Sequence, residues 1–274
     1  MNKAEVEWNF LFVRKFLGLL IIISVITTSN CSNRAASNHF SYAEDLRDKG
    51  EYLEACEEYR KIADKYPMSP MASDALFQLG STYYVYVNDY EKALRAFSRL
   101  ISSYSNSRFS LTAQRHVAEI YVKLKDFKKA IVEYQKILDS YPGTEDGDGF
   151  QRQIAQCYFH LDDFEQAIVE YGILLENFPH TKLAEDTYLQ IANCYYIDCQ
   201  LEKAVDSYKE AIERFPGTNV SIYAQFGIAS CLEEMGKLPE ALKLYEEILD
   251  RYEDRTVVQI RIEGVKNRLK KRNR

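Results

Sequence analysis

The sequence predicts an all-α solenoid, six helix-turn-helix repeats closed by a C-terminal capping helix, and three observations carry that reading. A small anchor recurs as Ala55, Ala93, Ala130, Ala167, Ala204 and Ala241, in steps of 38, 37, 37, 37 and 37 residues. Four positions after each anchor stands an aromatic ring: Tyr59, Phe97, Tyr134, Tyr171, Tyr208 and Tyr245. Ahead of each anchor lies a second small residue, Ala43, Gly80, Ala118, Ala155, Ala192 or Ala229, with a large one three positions later: Leu46, Tyr83, Tyr121, Tyr158, Tyr195 or Leu232. Self-similarity at a fixed period of this size belongs to stacked supersecondary units, each too small to bury its own apolar face.

Small then large at i and i+3 is one face of a first helix, and an anchor with a stripe such as Ala130, Tyr134, Ile137 and Leu138 is one face of a second. The small residues let two helices approach closely, and the rings fill the space beside them. Gly80 precedes its anchor by thirteen residues rather than twelve, because the stretch from Val85 to Asp89 carries one extra residue. Between repeats the chain reads Tyr66-Pro67-Met68-Ser69, Tyr104-Ser105-Asn106-Ser107, Tyr141-Pro142-Gly143-Thr144, Phe178-Pro179-His180-Thr181 and Phe215-Pro216-Gly217-Thr218. Proline ends the preceding helix, and the serine or threonine two residues later is expected to cap the next one. Pro70 suits the first turn of the second repeat.

The ends read differently. Arg14 and Lys15 precede an apolar run, Phe16 to Ile26, too short to span a bilayer comfortably. A basic flank, a short apolar core and a polar exit predict a signal peptide over residues 1–30. The run leads to Cys31, placed like the acylated first residue of a bacterial lipoprotein, although Thr28 and Asn30 depart from the usual lipobox. Ordinary secretion and an uncleaved anchor starting near Phe10 are the alternatives. Residues 31–37 are then a lipidated tether, 38–254 the six repeats, and 255–274 a capping helix with a basic tail. Val257, Ile260, Val265 and Leu269 are the expected inward positions of that helix.

The small first-helix residue, the aromatic three later, the anchor alanine, the aromatic four on and the closing proline together resemble the tetratricopeptide repeat family, over residues 38–254. The family period is 34, so the departure is about one helical turn, and it falls between the proline and the next first helix. The resemblance implies a right-handed superhelix whose first helices line a concave groove for partner segments. Carried onto this chain, the groove positions include Phe77, Tyr84, Arg115, Lys123, Arg152, Phe159, Leu189, Asn193, Tyr196 and Phe226. Aromatic and arginine side chains are the usual interface anchors. With the signal segment and Cys31, the chain is similar to envelope lipoproteins built of these repeats. The BamD type, a lipidated outer-membrane assembly factor, and the CpoB type, a periplasmic Tol-Pal accessory protein, are the two models. The expected partners are therefore outer-membrane β-barrel assembly components or periplasmic envelope proteins, with a lipid anchor on the periplasmic face of the outer membrane; the alternative is the free periplasm.

Little in the sequence points to chemistry. Cys157, Cys194 and Cys231 share one repeat position and read as small buried side chains, while Cys56 and Cys199 are isolated. No Cys/His spacing suits zinc. His39, His116, His160 and His180 lie in four different repeats without a neighbouring nucleophile, and no phosphate loop, dinucleotide fingerprint or hydrolase elbow occurs. Residues 144–149 carry three acids but not the ligand set of a calcium loop. No cofactor, metal or catalytic residue is expected. A formal net charge of −6 gives no general attraction to nucleic acid. Seven basic residues follow from Arg261 onward, a run read as solvated, or as a contact for anionic lipid or a partner.

Overall fold

Each of the six anchor alanines is fully buried, as are all five alanines of the first-helix position, so the closest helix contacts fall where the repeat places its smallest side chains. The aromatic four residues after each anchor is 0–3% exposed in every repeat. These contacts pair successive helices into hairpins. The computed structural model describes residues 32–272. The expected signal segment, residues 1–30, and Cys31 lie outside the described residues.

Thirteen α-helices follow one another among the described residues. They are α1 (32–48), α2 (Tyr52–Lys65), α3 (Met71–Thr82), α4 (Tyr90–Ser103), α5 (Ser110–Lys123), α6 (Phe127–Ser140), α7 (Gly147–His160), α8 (Phe164–Asn177), α9 (Ala184–Ile197), α10 (Leu201–Arg214), α11 (Asn219–Glu234), α12 (Leu238–Ile248) and α13 (Arg255–Arg272). Odd-numbered helices are the first of each pair and even-numbered ones the second, with α13 left over. No strand occurs among the described residues.

The turn inside each pair is built the same way six times. Gly50, Asn88, Lys125, Asp162, Cys199 and Gly236 all have a left-handed backbone, with φ between 57° and 81°. The next amide then reaches back to the first helix, as in Asp126 N to Tyr121 O at 2.9 Å, Asp163 N to Tyr158 O at 3.0 Å and Lys237 N to Leu232 O at 2.8 Å. This is the left-handed stop that satisfies the last carbonyls of a helix. Asp89, Asp126 and Asp163 at once begin the second helix, each side chain accepting from the amide three residues on. In the second pair the returning amide, Asp89 N, bonds Tyr83 O six residues back instead of five. The extra residue is absorbed as a π-turn, Tyr83–Val87, before the left-handed Asn88.

Between pairs, the expected hydroxyl caps form in part. Thr218 caps α11 through Ser221 N. Ser69, Ser107 and Thr181 instead accept from the amide two residues later, in a tight turn just ahead of the helix. Thr144 makes no such cap; α7 starts behind Asp146, whose side chain does not cap it either.

The described residues divide into two units between Ile120 and Tyr121. In the first, α2 packs on α3 and α3 on α4. Phe77, Phe97, Phe109 and His116 form an aromatic cluster there. In the second, consecutive helices from α6 to α13 pack in order, and α9 also touches α11. Its core is a series of similar knots, such as Ala155, Ala167, Tyr171 and Cys194, then Ala192, Ala204, Tyr208 and Cys231.

Two expectations change at the ends. The stretch 31–37, read as a tether, is helical from residue 32, with Ala36 fully buried; it opens α1. In α13, Val257 is 37% and Ile260 64% exposed, whereas Val258, Ile262 and Val265 are buried. The stripe is 258, 262, 265 and 269, in phase with the first helices, since Val258 falls 37 residues after Ser221 and Leu269 37 after Leu232. The buried stripe of α13 thus keeps the phase of the first helices, although Lys266, exposed, stands 37 residues after the buried Ala229.

Candidate partner-binding face

In the first unit the expected groove residues are engaged with their neighbours. Phe77 stacks on Phe109 with ring centroids 4.3 Å apart and planes 8° from parallel, which makes it an inter-helix packing residue. Tyr84, on the π-turn, lies 5.3 Å from the His116 ring and donates to Glu119 Oε2 at 3.5 Å. Burial first, and then the Glu119 charge, push the Tyr84 hydroxyl up to about 12. Arg115 pairs with Glu119 at 3.6 Å and His116 Nδ1 meets Glu119 Oε2 at 2.9 Å. Tyr84, Arg115 and His116 therefore converge on one half-buried carboxylate.

In the second unit the first helices α7, α9 and α11 carry a row of half-buried side chains. Phe159 sits edge-on to Phe164 at 5.4 Å, over the Tyr171 knot. Leu189 and Tyr196 lie against the Tyr208 knot. Phe226 is 5.4 Å from Tyr245 and 4.9 Å from Tyr252. Each of these side chains has one side in the core and one side open. Arg152 is half-buried near the Tyr171 hydroxyl, and its charge partly opposes the rise in that hydroxyl's pKa caused by burial. Lys123 is exposed at the end of α5. Tyr196 is pushed up by burial and by Glu234, an effect opposed by Arg261.

Asn193 serves the fold as well as the face. The buried Tyr208 hydroxyl donates to its Oδ1 at 2.7 Å. The same link appears in the first and sixth pairs, from Tyr59 to Glu44 and between Tyr245 and Ser230 at 3.0 Å. In these three pairs the aromatic of the second helix thus fixes the residue fifteen positions earlier on the first helix. Sequence reasoning missed this pairing, although a tyrosine recurring fifteen residues after a polar side chain was there to be read.

Glu233 was also missed as a structural group. It is 7% exposed, accepts from Tyr245 at 3.1 Å and from Arg268 Nη1 at 3.0 Å, and lies 3.8 Å from Arg261 Nη1. Two arginines of α13 therefore meet one carboxylate of α11. The cysteines of the repeat are inert by the same logic: burial raises the Cys157, Cys194 and Cys231 thiols to about 11, 12 and 11, far from the thiolate that reacts at neutral pH. Among the described residues no group of three or more His, Cys, Asp and Glu could hold a metal ion.

Comparison with known proteins agrees with this architecture. Models described as tetratricopeptide repeat match residues 81–144, 152–181 and 183–254. No curated protein sequence matches. A tetratricopeptide repeat protein of Parabacteroides merdae superposes with a TM-score of 0.55 at 18% identity, covering 85% of this chain and 88% of that one. The C-terminal part of a repeat-containing protein from Cytophaga hutchinsonii gives 0.56 at 19% identity, covering 77% and 78%. A structure of Naa15/Naa10 bound to HypK gives 0.50 at 17% identity, covering 87% of this chain and 35% of that one. At these identities the likeness is one of fold.

Proposed function

Because the chain belongs to the tetratricopeptide repeat family, we propose that it is a non-enzymatic scaffold receiving segments of partner proteins on its first helices, chiefly those of the second unit. One observation carries this reading: Phe159, Leu189, Tyr196 and Phe226 repeat along α7, α9 and α11, each held by the core on one side and open on the other. Side chains fixed in this way lose little entropy on binding, which is what an interface anchor needs. Asn193 and Arg152 add polar points between them. Naa15/Naa10, which shares the fold over 35% of the matched chain, is bound to HypK, and a partner-binding role for this chain is in keeping with that.

The place of action rests on the sequence. The basic flank, apolar run and Cys31 support a lipoprotein held at the periplasmic face of the outer membrane, working in outer-membrane protein assembly. The even 37-residue period and its capped junctions favour a second reading, an adaptor for division or wall synthesis of the Tol-Pal accessory type.

Labelling with a palmitate analogue separates anchored from free protein: label on the wild type and none on Cys31→Ala is expected, and an unlabelled soluble wild type overturns the anchor. Purification from detergent-solubilised envelopes then tests the partner. Recovery of a β-barrel assembly protein, lost in the Leu189→Ala/Tyr196→Ala double variant, supports assembly; recovery of peptidoglycan enzymes instead supports the adaptor. Equal recovery by the wild type and the double variant overturns the face.

A further inference from the structure

On α5 the first helix carries its own counter-charge. Arg115 lies 3.6 Å from Glu119 one turn on, and Tyr84 and His116 meet the same carboxylate. On α7 the pattern returns 37 residues later with one change: Arg152 stands for Arg115, and Gln156 stands for Glu119. The cation is kept and its acid is lost. Among the described residues Arg152 makes no ion pair and no side-chain hydrogen bond, and its Nε is shielded from solvent without an acceptor. A shielded donor left unpaired is costly, and most such groups in folded proteins have a partner. Asp186 of α9 acts on the same Tyr171 hydroxyl as Arg152, but it accepts from Gln190 at 3.2 Å and forms no ion pair with Arg152.

Two further donors beside it are unused. In the first, fifth and sixth pairs the ring hydroxyl of the second helix bonds the residue fifteen positions earlier. In the fourth pair those two residues are Tyr171 and Gln156, and neither side chain makes a hydrogen bond. Gln156 is half-buried, one helical turn beyond Arg152, so the two side chains are neighbours on α7. Tyr171 is buried, and its hydroxyl is close enough for the Arg152 charge to act on it. A guanidinium, a carboxamide and a phenol are thus gathered in the fourth pair, all able to donate and none engaged. The half-buried Phe159 stands two turns beyond Arg152 on the same helix.

We propose, resting on the partner-binding reading above, that Arg152 and Gln156 are the polar subsite of that face and take the side-chain carboxylate of an aspartate or glutamate in the bound segment. The occupant follows from α5, where the side chain of Glu119 fills the matching place. Arginine receives such a group with two parallel N–H donors. The test is fluorescence anisotropy of a labelled peptide Leu-Phe-Glu-Leu-Glu-Phe, both ends blocked, with the detergent-solubilised full chain, beside its counterpart with glutamine for glutamate. Saturable binding of the glutamate peptide is expected, at least tenfold tighter than that of the glutamine peptide. Arg152→Gln should weaken it at least tenfold. Gln156→Glu, which returns the acid that α5 has, should do the same by occupying Arg152 from within, and it serves if Arg152→Gln does not fold. Equal affinity for the two peptides, or equal affinity of the wild type and Gln156→Glu, overturns the subsite and leaves the face standing. No saturation up to millimolar protein also overturns the subsite; the face itself is judged separately, by partner recovery with Leu189→Ala/Tyr196→Ala.

Discussion

In the fifth pair the buried Tyr208 sends its hydroxyl to Asn193 at 2.7 Å, whereas in the second pair the matching ring is Phe97. Ser81 stands there where Asn193 stands in the fifth pair, just after the small first-helix residue, and its hydroxyl is shielded from solvent without a hydrogen-bond partner. Both rings are met by a glycine. A Cβ on Gly80 would lie 2.6 Å from Phe97 Cε1, and one on Gly227 2.3 Å from Tyr208 Cζ. The two glycines differ in place. Gly80 is on α3, the first helix of Phe97's own pair, while Gly227 is on α11, the first helix of the pair after Tyr208. One contact closes a hairpin and the other joins two neighbours. The ring is a constant of the repeat, and what touches it is chosen locally.

The largest effect should therefore come from Gly227→Ala. Alanine favours a helix by about 1 kcal/mol over glycine, but a methyl inside a buried ring costs about 1–3 kcal/mol in strain and displaced packing. A net loss of about 2 kcal/mol is expected by urea unfolding, with faster amide exchange in both α10 and α11. Gly80→Ala should cost about half as much, because α3 runs into the π-turn, where the backbone already departs from the ideal ladder. Equal losses would show that hairpin and junction contacts weigh the same.

The two acids bonded to tyrosine at the ends of the array give the next comparison. Glu44 takes the Tyr59 hydroxyl and is paired with Arg47 on its own helix, at 2.7 Å. Glu233 takes the Tyr245 hydroxyl, but its arginines come from α13. Replacing Glu233 by alanine should loosen α13, with a cost of about 2 kcal/mol, since hydrogen bonds to a charged group contribute about 1.5–3 kcal/mol and the arginines are half-exposed. Amide exchange from Val258 to Leu269 should quicken while α9 is unaffected. Fast exchange confined to α1 would contradict this assignment.

The fold was legible because the period repeats the same shape at the same place: the anchors, the small residues and the rings announced every pair. The inner turns were not, because their left-handed residue is glycine only at Gly50 and Gly236; Asn88, Lys125, Asp162 and Cys199 fill it elsewhere, held by the returning amide. The phase of α13 was hidden because its apolar residues at 257, 258, 260 and 262 nearly encircle the first turns. Only alignment of Leu269 with Leu232 selects the buried set. Of the candidate face, Phe77, Phe159, Leu189, Tyr196 and Phe226 are all half-buried, and the stacking of Phe77 on Phe109, which comes from the following pair, is a contact no local pattern shows.

A hydroxyl exchange probes the opening contrast directly. Tyr208→Phe should cost about 1 kcal/mol, the usual net worth of one hydrogen bond, and free Asn193 for a ligand. Phe97→Tyr offers Ser81 the partner it lacks and should be neutral or stabilising by up to about 1 kcal/mol. A loss from both changes would mean that the second pair is shaped for phenylalanine, its ring cluster leaving no room for an oxygen.

The smallest expected effect concerns acid. Glu58, on α2, is 8% exposed; burial raises its pKa, but Lys61 Nζ at 2.5 Å and His39 Nδ1 at 2.6 Å outweigh that and hold it below its ordinary value of 4.5. A carboxylate depressed in the folded state contributes stability above its unfolded pKa and loses it as the pH falls through the folded one. The first unit should thus lose stability below about pH 4.5 partly through this group, and Glu58→Gln should flatten that loss while costing a little at neutral pH. The second unit, which lacks this group, supplies the internal reference. Amide exchange in α2 and in α10, compared at neutral and acid pH, should show the variant changing the first and leaving the second as it was; parallel changes in both helices would assign the acid sensitivity to the general charge of the chain instead.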